Sequence, residues 1–151
     1  MLRSTWAPGQ VPDHDGPVLV SVTDFRLDRA RDLPGVHRAA RRLVAHWPEL
    51  EGTHGLWLWA APTARRCGAV AVWRDADALH RFIAWPPHAV IMREYRGRGT
   101  LASTTWEAER FDPAATWARA RAVLRAGSPS GPNTAACQRL PSPWRQPGPY
   151  A

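Results

Sequence analysis

From Gly68 to Trp106 the chain runs GAVAVWRDADALHRFIAWPPHAVIMREYRGRGTLASTTW. The short apolar run Ala69 to Trp73, with its β-branched residues, predicts a strand ending at Arg74. Asp75 then reads as an N-cap, and Ala78, Leu79, Phe82 and Ile83 follow at helical spacing. Pro86-Pro87 removes two backbone donors and ends or kinks that helix. Pro87 suits the first position of a new helical turn, which places His88 near its N-terminus with Val90, Ile91 and Met92 behind it. A strand, a broken helix and a second strand therefore follow one another within a single short segment.

The residues before this segment repeat the order. Pro17 to Phe25 alternates Val18, Val20 and Val22 against Leu19, Ser21 and Thr23, the pattern of a strand. Asp32 is expected to cap a helix with Pro34 in its first turn, and Val36, Ala40, Leu43, Val44 and Trp47 form one apolar stripe. Gly55 to Ala61 is a second strand, joined tightly through Pro62 to Arg66 to the third, Cys67 to Trp73. Thr100 to Glu107 is a fourth, and a closing helix starts at Asp112-Pro113 and runs through Leu124. The order βαββαβ with an extra C-terminal helix is that of an α+β, ferredoxin-like plait: an antiparallel sheet with both crossover helices on one face. Leu56 and Leu58 fall on one side of the second strand and Trp57 and Trp59 on the other, so the face away from the crossover helices needs a cover. A two-fold pairing of chains, face to face, is the expected solution and makes a dimeric α/β barrel.

Composition bounds the rest. A chain of 151 residues, 44% hydrophobic, suits one domain with a real core. The formal charge is +7, but every basic residue is Arg and many sit beside acids, as in Arg31-Asp32 and Arg93-Glu94. Scattered charge of this kind predicts no nucleic-acid stripe. Cys67 and Cys137 are too few for a disulfide framework. Neither an apolar leader nor a run of membrane-spanning length is present, so no membrane partner and a cytoplasmic location are expected. Residues 1–16, with Pro8, Gly9, Pro12 and Gly16, read as a flexible N-terminal arm, 17–126 as the folded domain, and 127–151 as a disordered Pro/Gly-rich tail.

The strand LWLWAAP, the run AVAVWRDADALHRFI, the PPHAVIMREY segment and the final STTW together resemble the dimeric α/β-barrel superfamily. Within it, the chain is similar to small proteins related to antibiotic biosynthesis monooxygenases, in an uncharacterised actinobacterial branch. The resemblance spans about Val18 to Trp106. It implies a homodimer and a small enzyme of secondary metabolism that oxygenates or rearranges an aromatic or polycyclic natural-product intermediate without a cofactor. It also places His88 near the mouth of a cavity between helix layer and sheet.

A neutral imidazole offers one lone pair near neutral pH, so His88 is the candidate acid/base, with Arg93 or Tyr95 stabilising developing negative charge. Nine tryptophans are many for this length, and Trp57, Trp59, Trp73 and Trp106 on strands, with Phe82 and Met92 on the helices, are the candidate substrate-binding groups. Two other readings stay open: haem binding with His88 as axial ligand, and a non-catalytic barrel that holds a small apolar ligand. His37, His46, His54 and His80 form no metal-ligand pattern, and phosphate loops and nucleophile elbows are lacking. Asp24 and Ser103-Thr104-Thr105 are strand residues able to orient a ligand.

Overall fold

The computed structural model describes residues 1–127. Two short strands, β1 (Leu2–Arg3) and β2 (Ala7–Pro8), precede β3 (Val18–Leu27), α1 (Leu33–Ala45), β4 (Thr53–Ala61), β5 (Arg66–Trp73), α2 (Ala76–Ala84), α3 (Pro86–Glu94), β6 (Gly99–Ala108) and α4 (Pro113–Ala126). All strand pairs are antiparallel, in the order β1-β4-β5-β3-β6, with β2 also on β4. The inner strands thus follow the ferredoxin-like plait, and four α-helices complete a mixed α/β fold.

Local chemistry sets the boundaries. The Asp75 carboxylate accepts from the Ala78 N–H at 2.8 Å, and Asp112 accepts likewise from Ala115. Caps of this kind are worth about 1 kcal/mol each. Asp32 does not cap α1 as expected. A 3-10 turn over Ala30–Asp32 has already put its backbone in the helical region, and its carboxylate instead meets Arg98 Nη1 at 3.3 Å. The break between α2 and α3 falls at Trp85, whose extended backbone relieves the clash before Pro86.

The sheet is covered on both faces. Against one pack α1 and α2, where Trp47, Leu56, Leu58, Ala71, Trp73 and Ala78 are buried together. Against the other packs α4, with Ala120 and Leu124 closing over Val20, Val22, Trp57, Trp59, Val70 and Val72. This revises the expectation of an open face: Trp57 and Trp59 are only 4% and 3% exposed within one chain. The apolar side of β4 therefore needs no second copy to leave water.

Residues 1–16 also depart from expectation. Residues 2–11 lie along β4 as a strap, with Ser4 N–H donating to Leu58 O and Gly9 N–H to His54 O, each at 2.9 Å. Gln10 N–H donates to Thr53 Oγ1, while the Gln10 side-chain oxygen accepts from Gly52 N–H, both at 3.0 Å. Trp6 drops from this strap onto the α4 face, against Trp57 and stacked on Phe111 at 4.9 Å. The strap occupies the β4 edge and leaves β6 as the sheet's other border. Of the expected tail, everything past Gly127 lies outside the described residues.

Candidate functional site

The sheet divides the expected site in two. His88, Phe82 and Trp73 lie on the α1–α3 side, whereas Trp57, Trp59 and Trp106 face α4. No single cavity among the described residues holds all six, because the alternation that puts Trp57 and Trp59 on one face puts Leu56 and Leu58 on the other.

On the helix side, the His88 ring lies 4.4 Å from that of Phe82, and its Nδ1 is 3.3 Å from the Ile83 carbonyl oxygen. That oxygen can only accept, so the contact assigns the ring proton to Nδ1 and leaves Nε2 with the lone pair. Burial pushes the imidazole pKa down, and the Ile83 hydrogen bond only partly opposes it. Next to Phe82 is a cavity of about 170 Å³ lined by Glu49, Leu50, Glu51, Ala78, Arg81, Phe82 and Trp85. Arg81 pairs across its rim with Glu51 at 3.6 Å. Behind it, Trp47, Trp73 and Phe82 meet edge to face or tilted, and Trp73 Nε1 donates to Ser21 Oγ at 2.8 Å. Trp73 is thereby a fixed wall of the core.

The other expected residues sit apart. Arg93 is exposed at the end of α3 and Met92 is 41% exposed. Tyr95 is buried at the α3 C-cap, its hydroxyl beside Gly35 and the Arg98 guanidinium 5.4 Å from its ring centroid; burial raises its pKa. Neither these three nor His88 itself is among the residues that line the cavity next to Phe82; His88 reaches it only through the Phe82 ring. Trp106 is covered on the far face by the Arg119 guanidinium at 4.8 Å. Asp24, read as a ligand-orienting carboxylate, is held by Arg66, whose Nε donates to Oδ1 at 3.0 Å. Cys67 is buried, and that burial, with the Asp24 charge, pushes its thiol pKa up to about 11, so it is no nucleophile.

The residues do not fit a haem. The cavity beside Phe82, against which His88 packs, is far smaller than the roughly 300–1,000 Å³ of ordinary ligand pockets. The larger one, about 480 Å³, lies beneath α4 and has no His or Cys among its described lining residues. Among the described residues no group of three His, Cys, Asp or Glu side chains is arranged to hold a metal. No described helix is long and apolar enough to cross a membrane.

One residue that pattern reading passed over is His54. It is 3% exposed on the α4 face, between Phe111 and Trp6, and its Nδ1 has no hydrogen-bond partner. Burial lowers its pKa, as does His14 in the strap, against the opposing effects of the Val11 backbone and Asp13. His54 and His88 both prefer the neutral form in the fold, so below the ordinary value of 6.5 the unfolded chain binds protons first. Stability is expected to be fully present above that pH and to fall as the pH drops below it. Urea unfolding at several pH values between about 7 and 5 measures this, and a His54→Phe/His88→Gln double variant should show a shallower decline. An equally steep decline in that variant would assign it to other groups.

Comparison with known proteins gives no matching family model and no matching curated protein. Solved structures do match. SnoaB, a cofactor-independent oxygenase from Streptomyces nogalater, is 21% identical over 66% of this chain and 99% of its own, with a TM-score of 0.53. A ferredoxin-fold protein from Listeria monocytogenes related to antibiotic biosynthesis monooxygenases is 16% identical over 74% of this chain and 63% of its own, also at 0.53. A dimeric ferredoxin-like protein of unknown function from Jannaschia is 14% identical over 60% of this chain and 99% of its own, again at 0.53. At these identities the likeness is one of fold: the chain has the ferredoxin-like architecture found in monooxygenase-related proteins.

Proposed function

We propose that this chain is a small, cofactor-independent monooxygenase-like enzyme that acts on an electron-rich aromatic compound on the helix side of the sheet, with His88 as acid/base. The observation that carries the reading is the imidazole itself: half-buried, neutral, with Nδ1 turned to the Ile83 carbonyl and its ring packed against Phe82, one of the residues that line the cavity. A cavity of about 170 Å³ has room for one aromatic ring, which narrows the polycyclic expectation to a one-ring substrate. Arg81, the cation that lines this cavity, takes the charge-stabilising role expected of Arg93 or Tyr95. In this reading Nε2 accepts a phenolic proton, a ring carbon of the resulting phenolate with carbanion character bonds dioxygen, and cleavage of the O–O bond with loss of that carbon's hydrogen leaves a quinone carbonyl and releases the second oxygen atom as water. A pair of chains, as in the dimeric ferredoxin-like neighbour, belongs to the same reading.

Oxygen uptake with a panel of hydroquinones and catechols tests it, on protein whose mass is read by light scattering. The expected result is turnover that His88→Gln lowers by about a hundredfold or more, the usual weight of a general base, with thermal unfolding unchanged. Because the His88 pKa is depressed, the rate should hold down to the ordinary imidazole pKa of 6.5 and decline only below it. Turnover undiminished in His88→Gln would remove the histidine from the mechanism.

A further inference from the structure

Beneath α4, on the face of the sheet away from His88, Arg3, Arg66, Arg121 and Arg125 line one cavity with Trp59, Trp117, Met1 and Leu124. From these residues we infer a second small-molecule site, for a planar aromatic compound carrying a carboxylate or a similar oxyanion. The inference does not depend on the function proposed above.

Charge comes first. No acid is among the described residues that line the cavity. Arg66 is neutralised from behind by Asp24 and also donates to the Leu124 carbonyl oxygen at 2.8 Å, so it is fixed in place. Arg3, Arg121 and Arg125 have no carboxylate partner among the described residues. Arg121 and Arg125 stand four apart on α4, the spacing at which like charges disfavour a helix. An anion between them would turn that repulsion into attraction, and guanidinium forks match carboxylate geometry.

Shape and surface supply the aromatic half. The cavity measures about 480 Å³, within the range of sites that take small organic molecules. Trp59 is pinned by donation from its Nε1 to the Thr23 carbonyl oxygen at 3.1 Å. The Arg3 guanidinium lies over Trp117, 4.7 Å from its ring centroid. Two indoles, one of them pinned by a hydrogen bond, and several cations line one wall and suit a flat anion. Trp117, Arg121 and Arg125 recur every fourth residue, so the signal was present in the sequence as a stripe on one helix face.

Isothermal titration of the full chain with 2-naphthoate, and with 2-naphthalenemethanol as its uncharged counterpart, tests the inference. Naphthoate is expected to bind, the alcohol about tenfold or more weaker, and the Arg121→Ala/Arg125→Ala variant to lose about tenfold for naphthoate alone, the scale of a lost charge-assisted contact. A thermal melt that matches wild type shows that the variant is folded; Arg121→Gln alone, with a smaller loss expected, serves if the double variant is not. Absence of naphthoate binding, equal binding of acid and alcohol, or unchanged affinity in both variants would overturn the site. Inorganic phosphate displacing naphthoate at equal concentration would overturn the aromatic half of it.

Discussion

Gly68→Ala is expected to destabilise the fold by about 4 kcal/mol, near the upper end for a single substitution. Gly68 pairs with Trp59 across the β5–β4 ladder, and the Trp59 indole reaches over it to the Thr23 carbonyl on β3. A methyl group at 68 would stand 2.7 Å from the Thr23 carbonyl carbon, closer still to its oxygen, and 2.9 Å from Trp59 Nε1. Two of those atoms are backbone in the middle of a sheet, so the strain cannot be relieved by turning a side chain. The indole bond and the local β3–β5 pairing should be lost together. Urea denaturation measures the change. A loss below about 1 kcal/mol, the range of ordinary exposed positions, would show that β5 can shift and that Trp59 is not held as described.

Gly55→Ala should act through a different element. A Cβ at 55 overlaps the Trp6 ring, with Cη2 at 2.8 Å, so the indole must leave its place over β4. The expected loss is about 2–3 kcal/mol, less than for a fully buried tryptophan because Trp6 is only partly buried. Trp6→Ala should produce nearly the same loss, and the double variant little more than either alone, since both remove one docking event. Additive losses in this cycle would mean that the two residues act separately and that the strap stays down without Trp6.

These glycines also show why part of the fold was hidden. The plait itself was legible: alternation marked Val18 to Val22, the Asp75 cap opened α2, Pro86-Pro87 broke it, and Asp112-Pro113 opened α4. The strap was not, because its slot is made by what Gly55 and Gly9 lack, and a missing side chain leaves no pattern in a sequence. Asp32 failed as a cap because the turn before it had already become helical, a matter of backbone angles and not of residue type. For the site, strand parity separated Trp57 and Trp59 from Leu56 and Leu58. It carried no information on which helix covers which face, and so grouped tryptophans that the sheet keeps apart. The burial of His54 left no sign in the pattern because it depends on Trp6 and Phe111, which come from opposite ends of the described chain.

The strap meets the chain's last described segment twice over one face of the sheet, where Trp6 stacks on Phe111 just before α4 and where Arg3 crosses Trp117 on α4. Contacts between residues so distant in sequence bring no gain in folding until the strands between them have been assembled. Trp47, Trp73 and Phe82 join segments much nearer one another, so the other face has the shorter loops to close. The molecule thus has an order of construction written into it: the helix side first, and then a latch made from both ends of the described chain. The arginine-lined cavity lies under that latch, on the side completed last and, by the same logic, the first to come apart.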